Sequence, residues 1–336
     1  LAVLDVMEKE DLVENAHEVG EHLIARLKEL QQTQSHITDV RGRGLMVGID
    51  LDIPHKEVRS RLITEEHCFT GCASTNILRV LPPLCTTKEK IAIIGAGAMG
   101  GAMADGFIKS GAVKPADISV ANPTAQKLEH FALQGASVTT DNKTAAEGAD
   151  IVIIAVKPWL VEQVVNELKP VLNYTRQTII TVAAGISGSQ FTAWLKKDDA
   201  VPQTFIVIPN TAIAVLASMT FIVPVNATAD PTAIVKALFD NVGQTMVTDE
   251  RHLSAGMTLA SCGIAYAMRY VRAAAEGGVE LGFKADMAKD IVLQTMKGAV
   301  ELLQANGNHP EAEIDKVCTP GGLTIRGLNE MEHAGF

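Results

Sequence analysis

Cysteine is scarce in this 336-residue sequence: there are five, an odd number, scattered from Cys68 to Cys318. No disulfide framework follows, and a reducing cytoplasm is the expected compartment. Positive charge is also in deficit, with 29 Lys and Arg against 39 Asp and Glu for a formal net charge of −10, and no basic run forms a stripe. That balance argues against nucleic acid or an anionic membrane as partner, and a small anionic substrate needs a local positive site. Long apolar runs are missing too. The longest, Ile213 to Val225, is interrupted by Ser218, Thr220 and Pro224 and falls short of the roughly 20 residues a membrane-spanning helix requires. No charged-then-apolar leader is visible, and the first residue is Leu1 instead of Met, as expected of a fragment. What is plentiful is small and aliphatic: 27 Gly, 47% apolar residues and only 20% charged ones, enough for substantial cores in about two domains of roughly 150 residues.

Charge and aliphatic content change sharply near Glu89 and Lys90. Before that point, Leu12, Ala16, Val19, Leu23, Leu27 and Leu30 recur every three or four residues, which predicts an amphipathic helix over 11–30. Ile37–Val40 and Leu45–Leu51 are expected as short strands around the turn Arg41-Gly42-Arg43-Gly44, Lys56–Glu66 as a helix, and Ile77–Leu81 as a strand stopped by Pro82 and Pro83. The stretches HITDVRGRGLMVGIDL and TNILRVLPPLCTTKE resemble the C-terminal end of the small domain of class III aminotransferases, most closely the acetylornithine and succinylornithine types, over nearly all of residues 1–88. The resemblance gives Arg79 the role of gripping a substrate carboxylate, which suits a bidentate guanidinium. The plainer reading, a solvated strand-end charge, is preferred, because no cofactor domain with a Schiff-base lysine accompanies the segment; transaminase activity is not expected. Cys68, Cys72 and Cys85 with His67 lack paired C-x2-C knuckles, so no metal is expected.

From Lys90 the pattern is KIAIIGAGAMGGAMADGFIKSG. Ile91–Ile94 is an apolar strand, Gly95-Ala96-Gly97-Ala98-Met99-Gly100 a turn, and Gly101–Lys109 has helical spacing. A G-x-G-x-x-G with a strand before it and a helix after it permits a tight turn, close backbone approach to a pyrophosphate and close helix packing. Strands follow at Ile118–Ala121, Ile151–Val156, Thr178–Val182 and Phe205–Ile208, with helices at Ala125–Leu133 and Leu160–Leu168. This alternation predicts an α/β, doubly wound Rossmann-type parallel sheet. The second strand ends on Asn122-Pro123-Thr124, with Lys127 nearby and no carboxylate. Without an anion to repel a 2′-phosphate, NADPH is favoured over NADH, although no arginine is present to clamp that phosphate, and a simple Asn-Pro turn accounts for the same residues.

After Thr248 long helical spacing takes over: Leu253, Met257, Ala260, Ile264, Met268, Val271, Ala275 and Val279 in one helix ended by Gly282, then Ala288, Val292, Thr295, Ala299 and Leu302 in the next. Such apolar, Ala- and Gly-rich helices suit burial against another subunit. IAIIGAGAMG, IVIIAVKP, VIPNTA, ASCGIAYAMRYVRAAAEGGVELG and DKVCTPGGLTIRGLNEMEHAGF together resemble the pyrroline-5-carboxylate reductase family over residues 90–336. The resemblance implies a Rossmann domain plus an all-helical dimerisation domain, a homodimer or decamer, and NAD(P)H-dependent reduction of 1-pyrroline-5-carboxylate to L-proline.

By the same resemblance, Gly95, Gly97, Ala98, Met99, Gly100, Asn122, Lys157, Pro158 and Asn210 hold the cofactor, Gly321, Gly322, Leu323 and Glu276 lie on the substrate side, and Thr324 is the catalytic residue near the ring nitrogen. Pro320-Gly321-Gly322-Leu323-Thr324 opens a helix whose N–H groups can hold a carboxylate. A hydroxyl is a poor free acid, so Thr324 is expected to position the substrate and relay a proton from water; a plain helix cap is the alternative, as an ordinary surface carboxylate is for Glu276. Departures from the family are Ile206, where arginine is common, Gly263-Ile264 in place of Gly-Pro, and a final helix expected to run past Phe336. Three units are expected: 1–89 an α+β aminotransferase-type fragment, 90–248 the dinucleotide-binding domain and 249–336 the helical dimerisation and substrate domain. Two other readings fit the same residues: another Rossmann imine or hydroxyacid reductase, and a non-catalytic nucleotide-binding fragment or a join of two adjacent genes.

Overall fold

The computed structural model describes residues 12–64, 70–82 and 90–335. The first unit comprises α1 (Leu12–Thr33), β1 (Ile37–Arg43), β2 (Met46–Leu51), α2 (His55–Thr64), β3 (Gly71–Cys72) and β4 (Ile77–Val80). Its antiparallel sheet has the order β1-β2-β4-β3. α1 covers one face, where Ile24, Val40 and Val47 form a small core with Leu23, Leu27 and Ile49 against it. The helix face differs from the expected stripe: Ile24 is buried, whereas Leu30 is 45% exposed. The hairpin turn differs as well. β1 continues through Arg41-Gly42-Arg43, paired with Gly48, Val47 and Met46, because Gly44 at φ +55° supplies the left-handed residue that a tight turn needs one step later.

The second unit is built on β5 (Ile91–Ile94), α3 (Ala98–Ser110), β6 (Ile118–Ala121), α4 (Glu129–Leu133), β7 (Ser137–Thr139), α5 (Asn142–Ala146), β8 (Ile151–Ile154), α6 (Val161–Leu168), β9 (Thr178–Thr181), α7 (Gly188–Leu195), β10 (Gln203–Ile208), β11 (Ser218–Asn226), α8 (Ala229–Asp240) and β12 (Gly243–Val247). The eight strands run β12-β11-β10-β9-β8-β5-β6-β7. β7 to β10 are all parallel and reverse direction of winding at β5 and β8; this is the doubly wound order, with a switch point beside the glycine turn. β11 returns antiparallel to β10, and β12 runs parallel to β11. β5 and β8 are buried along their full length, as continuous aliphatic strands covered on both faces must be. On one face Met103 and Phe107 of α3 meet Phe239 of α8, with the two phenyl rings edge to face at 5.4 Å; on the other lie Val161, Val165 and Leu168 of α6 with Phe191 of α7.

Several boundaries move. α3 begins at Ala98, earlier than Gly101, because Gly97 already takes the N-cap conformation. The helices expected at Ala125 and Leu160 each start as a 3-10 turn, Ala125–Lys127 and Pro158–Leu160, before α geometry begins. β7, α5, α7, β11, α8 and β12 were not anticipated. β11 occupies most of the apolar stretch noted above, and its Pro224 is accommodated opposite Phe205, beside a register shift.

The helical part comprises α9 (Leu253–Gly256), a π-helical segment Met257–Cys262, α10 (Gly263–Glu280), α11 (Ala285–Asn306), α12 (Pro310–Val317) and α13 (Leu323–His333). The single helix expected from Leu253 to Val279 is therefore interrupted by a wider turn. Gly282 at φ +102° ends α10 as expected. α10 and α11 pack closely at Gly278, where a Cβ would stand 3.0 Å from that of Ala288. Most other apolar side chains here face outward, including Leu259 (79% exposed), Met268 (64%) and Leu302 (55%). Among the described residues, no helix is long and apolar enough to cross a membrane.

Candidate active site

The glycine turn sits at the C-terminal end of β5, and each glycine answers a different need. Gly95 has φ +109°, and a Cβ there would lie 2.7 Å from the Ala155 carbonyl oxygen at the end of β8. A Cβ on Gly100 would lie 1.8 Å from the Gly95 carbonyl oxygen, so this residue lets α3 close onto the turn. Gly97 is exposed, and a Cβ there would meet nothing within 4 Å. Space is thus left open at the one glycine that caps α3, where unpaired helix N–H groups point outward. Ala98 and Met99 begin that helix.

Asn122 lies at the tip of β6 but is 8% exposed. Its Oδ1 accepts from the Ala96 N–H at 3.2 Å, and its Nδ2 donates to the Thr124 carbonyl at 3.2 Å. The amide therefore braces the glycine turn from behind, while Pro123 to Lys127 are exposed, Lys127 being the charged side chain among them. Lys157 is exposed and caps the 3-10 turn that starts with Pro158, directly after the β8 end that abuts Gly95. Asn210, 5% exposed, lies two residues past β10 and caps the 3-10 turn Thr211–Val215 through Oδ1, which accepts from the Ala212 N–H at 3.0 Å. Its backbone N–H donates to Ser218 Oγ at 3.2 Å, and its Nδ2 donates to the Ala260 carbonyl at 3.5 Å. Ser261 Oγ donates to the Pro209 carbonyl at 3.4 Å. A cleft of about 560 Å³ opens here, lined by Asn210, Ser218, Met219 and Gly243 on the sheet side and by Val300 and Gln304 of α11.

The residues expected to hold a cofactor therefore gather along the ends of β5, β6, β8 and β10, on the side of an open α/β sheet where ligands bind. The expected substrate residues do not join them within one chain. Gly321 has φ +71°, Gly322 is the N-cap of α13 without a side-chain cap, and Leu323 and Thr324 form its first turn, exposed. Glu276 is on α10, held by Arg272 Nε at 3.0 Å beside an apolar cavity of about 460 Å³. Among the described residues, no hydrogen bond links Gly321–Thr324 or Glu276 to the sheet. Ser218 and Ser261 were not singled out from the sequence. The signal for Ser218 was its alternation with Thr220 inside an apolar strand, which puts both hydroxyls on one face.

In the first unit, Arg79 is exposed in β4, its guanidinium leaning over Gly71, where a Cβ would stand 3.1 Å from Nε. His67, Cys68 and Cys85 lie outside the described residues. Among the described residues, Cys72, Cys262 and Cys318 are free thiols, and no three His, Cys, Asp or Glu side chains converge as metal ligands would.

Comparison with known proteins finds three family models along the chain. A family model described as pyrroline-5-carboxylate reductase dimerisation matches residues 250–336, one described as NADP oxidoreductase coenzyme F420-dependent matches 90–185, and one for class-III aminotransferases matches 1–97. Pyrroline-5-carboxylate reductase 2 of Dictyostelium discoideum is 36% identical over 265 residues, covering 74% of this chain and 87% of that protein. The enzyme of Arabidopsis thaliana is 33% identical, covering 76% and 91%. Pyrroline-5-carboxylate reductase 1 of Dictyostelium is longer: at 36% identity the match takes in 73% of this chain but only 46% of that protein. Among solved structures, the pyrroline-5-carboxylate reductase of Coxiella burnetii superposes with a TM-score of 0.65 at 27% identity, over 74% of this chain and 92% of that one. The Plasmodium falciparum pyrroline carboxylate reductase, solved with NADP bound, shares the fold with a TM-score of 0.67 at 24% identity, over 74% and 91%.

Proposed function

The chain belongs to the pyrroline-5-carboxylate reductase family, and from that premise we propose that residues 90–336 catalyse NADPH-dependent reduction of 1-pyrroline-5-carboxylate to L-proline. The observation that carries the cofactor assignment is the open space at Gly97, set between two glycines whose own Cβ positions are filled by backbone. A pyrophosphate would rest on the N–H groups of Ala98, Met99 and Gly100, with Lys157 and Pro158 beside it and Asn210 toward the nicotinamide. Bound NADPH supplies a hydride equivalent. The absence of a carboxylate at Asn122-Pro123-Thr124 leaves a 2′-phosphate unopposed and Lys127 near it, so NADPH is preferred and NADH is the weaker alternative.

The remaining chemistry falls to the chain's own residues. The carbon of the C=N bond takes the hydride and the nitrogen takes a proton, so orientation contributes most and little acid-base machinery is required. Gly321, Gly322 and Leu323 offer the α13 N-terminus to the substrate carboxylate, which is the local positive site a protein of net charge −10 needs. Thr324 Oγ1 orients the ring nitrogen and passes it a proton from water. Glu276, held by Arg272, stands on the substrate side of α10.

Because Thr324 stands apart from the glycine turn within one chain, and the helices between them expose Leu259, Met268 and Leu302, the two halves of the site meet on assembly. A homodimer, extended to a decamer, is the expected form, and the cytoplasm the expected compartment. Residues 1–89, 90–248 and 249–336 are read as appendage, cofactor domain and helical domain, and the first contributes no transaminase chemistry. NADPH oxidation driven by pyrroline-5-carboxylate is the test, with Thr324→Ala expected to lower kcat by about tenfold or more. A dimer that binds NADPH but does not consume it with this imine would sink the substrate assignment, as would a Thr324→Ala variant of unchanged kcat for the role of Thr324.

A further inference from the structure

Asn210 is held from two sides, and the sides are unequal. On the strand side, its N–H donates to Ser218 Oγ at 3.2 Å, and Ser218 Oγ lies 3.0 Å from Thr220 Oγ1. Ser218 is 3% exposed and Thr220 fully buried. Among the described residues, the Thr220 hydroxyl meets only that of Ser218. Two hydroxyls inside an apolar strand are unfavourable unless they satisfy something, and what this pair satisfies is the buried Asn210 N–H.

Ser218 has little room to move. Its N–H donates to the Val242 carbonyl at 3.1 Å, and its own carbonyl oxygen stands 2.1 Å from where a Gly243 Cβ would be. On the helix side, the contacts are longer, 3.5 Å from Asn210 Nδ2 to the Ala260 carbonyl and 3.4 Å from Ser261 Oγ to the Pro209 carbonyl. The strand therefore sets the place of Asn210, and the π-helical segment follows it.

We propose that Ser218 and Thr220 are positioning residues for the nicotinamide end of the cofactor, their paired hydroxyls fixing the backbone of Asn210 at the end of β10. The proposal rests on reading this crevice as an NADPH site. Neither hydroxyl touches the reacting atoms; both act through Asn210. Their influence is therefore confined to the half of the cofactor that Asn210 faces, and the adenine half, held at the glycine turn, does not depend on them.

Calorimetric titration of the full chain with NADPH and, separately, with adenosine 2′,5′-bisphosphate, which lacks the nicotinamide, tests this. In Ser218→Ala and Thr220→Val, NADPH affinity is expected to fall about five- to tenfold while affinity for the bisphosphate stays within about twofold. Thr220→Ser keeps the hydroxyl and is expected to restore wild-type NADPH binding. Equal losses for the two ligands, or no loss for either, overturn the proposal. If Ser218→Ala does not fold, the Thr220→Val and Thr220→Ser pair decides the matter alone. A wild-type chain that binds both ligands but does not turn over the imine removes the substrate assignment and leaves this comparison decisive; one that binds neither overturns both.

Discussion

Gly97 and Gly100 lie in one turn, and their substitution separates binding from folding. Gly97 has an extended φ of −79° and open space beyond it, so Gly97→Val is expected to fold with a melting temperature near that of the wild type and to lose NADPH binding at least about tenfold, because the side chain fills the space the pyrophosphate needs. Gly100→Ala is expected to do the reverse of sparing the fold: its Cβ would overlap the Gly95 carbonyl, with a cost of about 1–3 kcal/mol of overpacking. Thermal melts alongside NADPH titrations distinguish the two; a Gly97→Val chain with normal affinity would remove the pyrophosphate from this turn.

Asp249 offers a residue-scale test against pH. Hydrogen bonding to Arg251, with further help from the charges of Arg251 and His252, lowers its pKa from 3.8 to about 2. A carboxyl depressed on folding stabilises the native state above its unfolded pKa and loses that contribution as pH falls through the folded value. The stability gap between wild type and Asp249→Asn is therefore expected to shrink from pH 3.8 toward about 2, and to be small throughout, because the group is exposed. Melting curves across that range check the slope.

At the scale of elements, what could be read from the sequence followed burial on both faces. Ile91–Ile94 and Ile118–Ala121 have the bounds the aliphatic runs predict, since an uninterrupted apolar stretch closed by glycine or Asn-Pro leaves little choice of boundary. β11 and β12 were hidden because Thr220, Pro224 and Gln244 break the pattern, and only pairing, of β11 with β10 and of β12 with β11, makes strands of them. The glycine turn itself was legible in the G-x-G-x-x-G spacing, and the inward turn of Asn122 was not, because its hydrogen bond to Ala96 depends on how β5 and β6 are juxtaposed. In the helical part, Gly278 is the element-scale test. Gly278→Leu is expected to push α10 from α11 at Ala288, lowering stability by about 1–3 kcal/mol and weakening dimerisation; an unchanged dimer with unchanged melting would show that the close contact is not needed.

Across the whole molecule, the first unit has its own small core and its own sheet, and neither shares a strand with the sheet that carries the glycine turn. A chain starting at Lys90 is accordingly expected to keep NADPH oxidation with pyrroline-5-carboxylate within about twofold of the full chain, a change well inside one tenfold step of binding energy; a large loss would assign residues 1–89 a part in the reaction. The wider turn at Met257–Cys262 has a consequence for the direction of α10. Each residue of an α-helix advances the azimuth by about 100°, so a turn that takes up one extra residue rotates everything after it by that angle about the helix axis. Leu259 lies within the dial and Met268 beyond it, and the direction in which α10 turns its exposed apolar stripe is fixed there. Six residues beside Pro209 and Asn210 thus set the compass bearing of that exposed apolar stripe, and a shift at that one turn would swing the whole helical arm to a new heading.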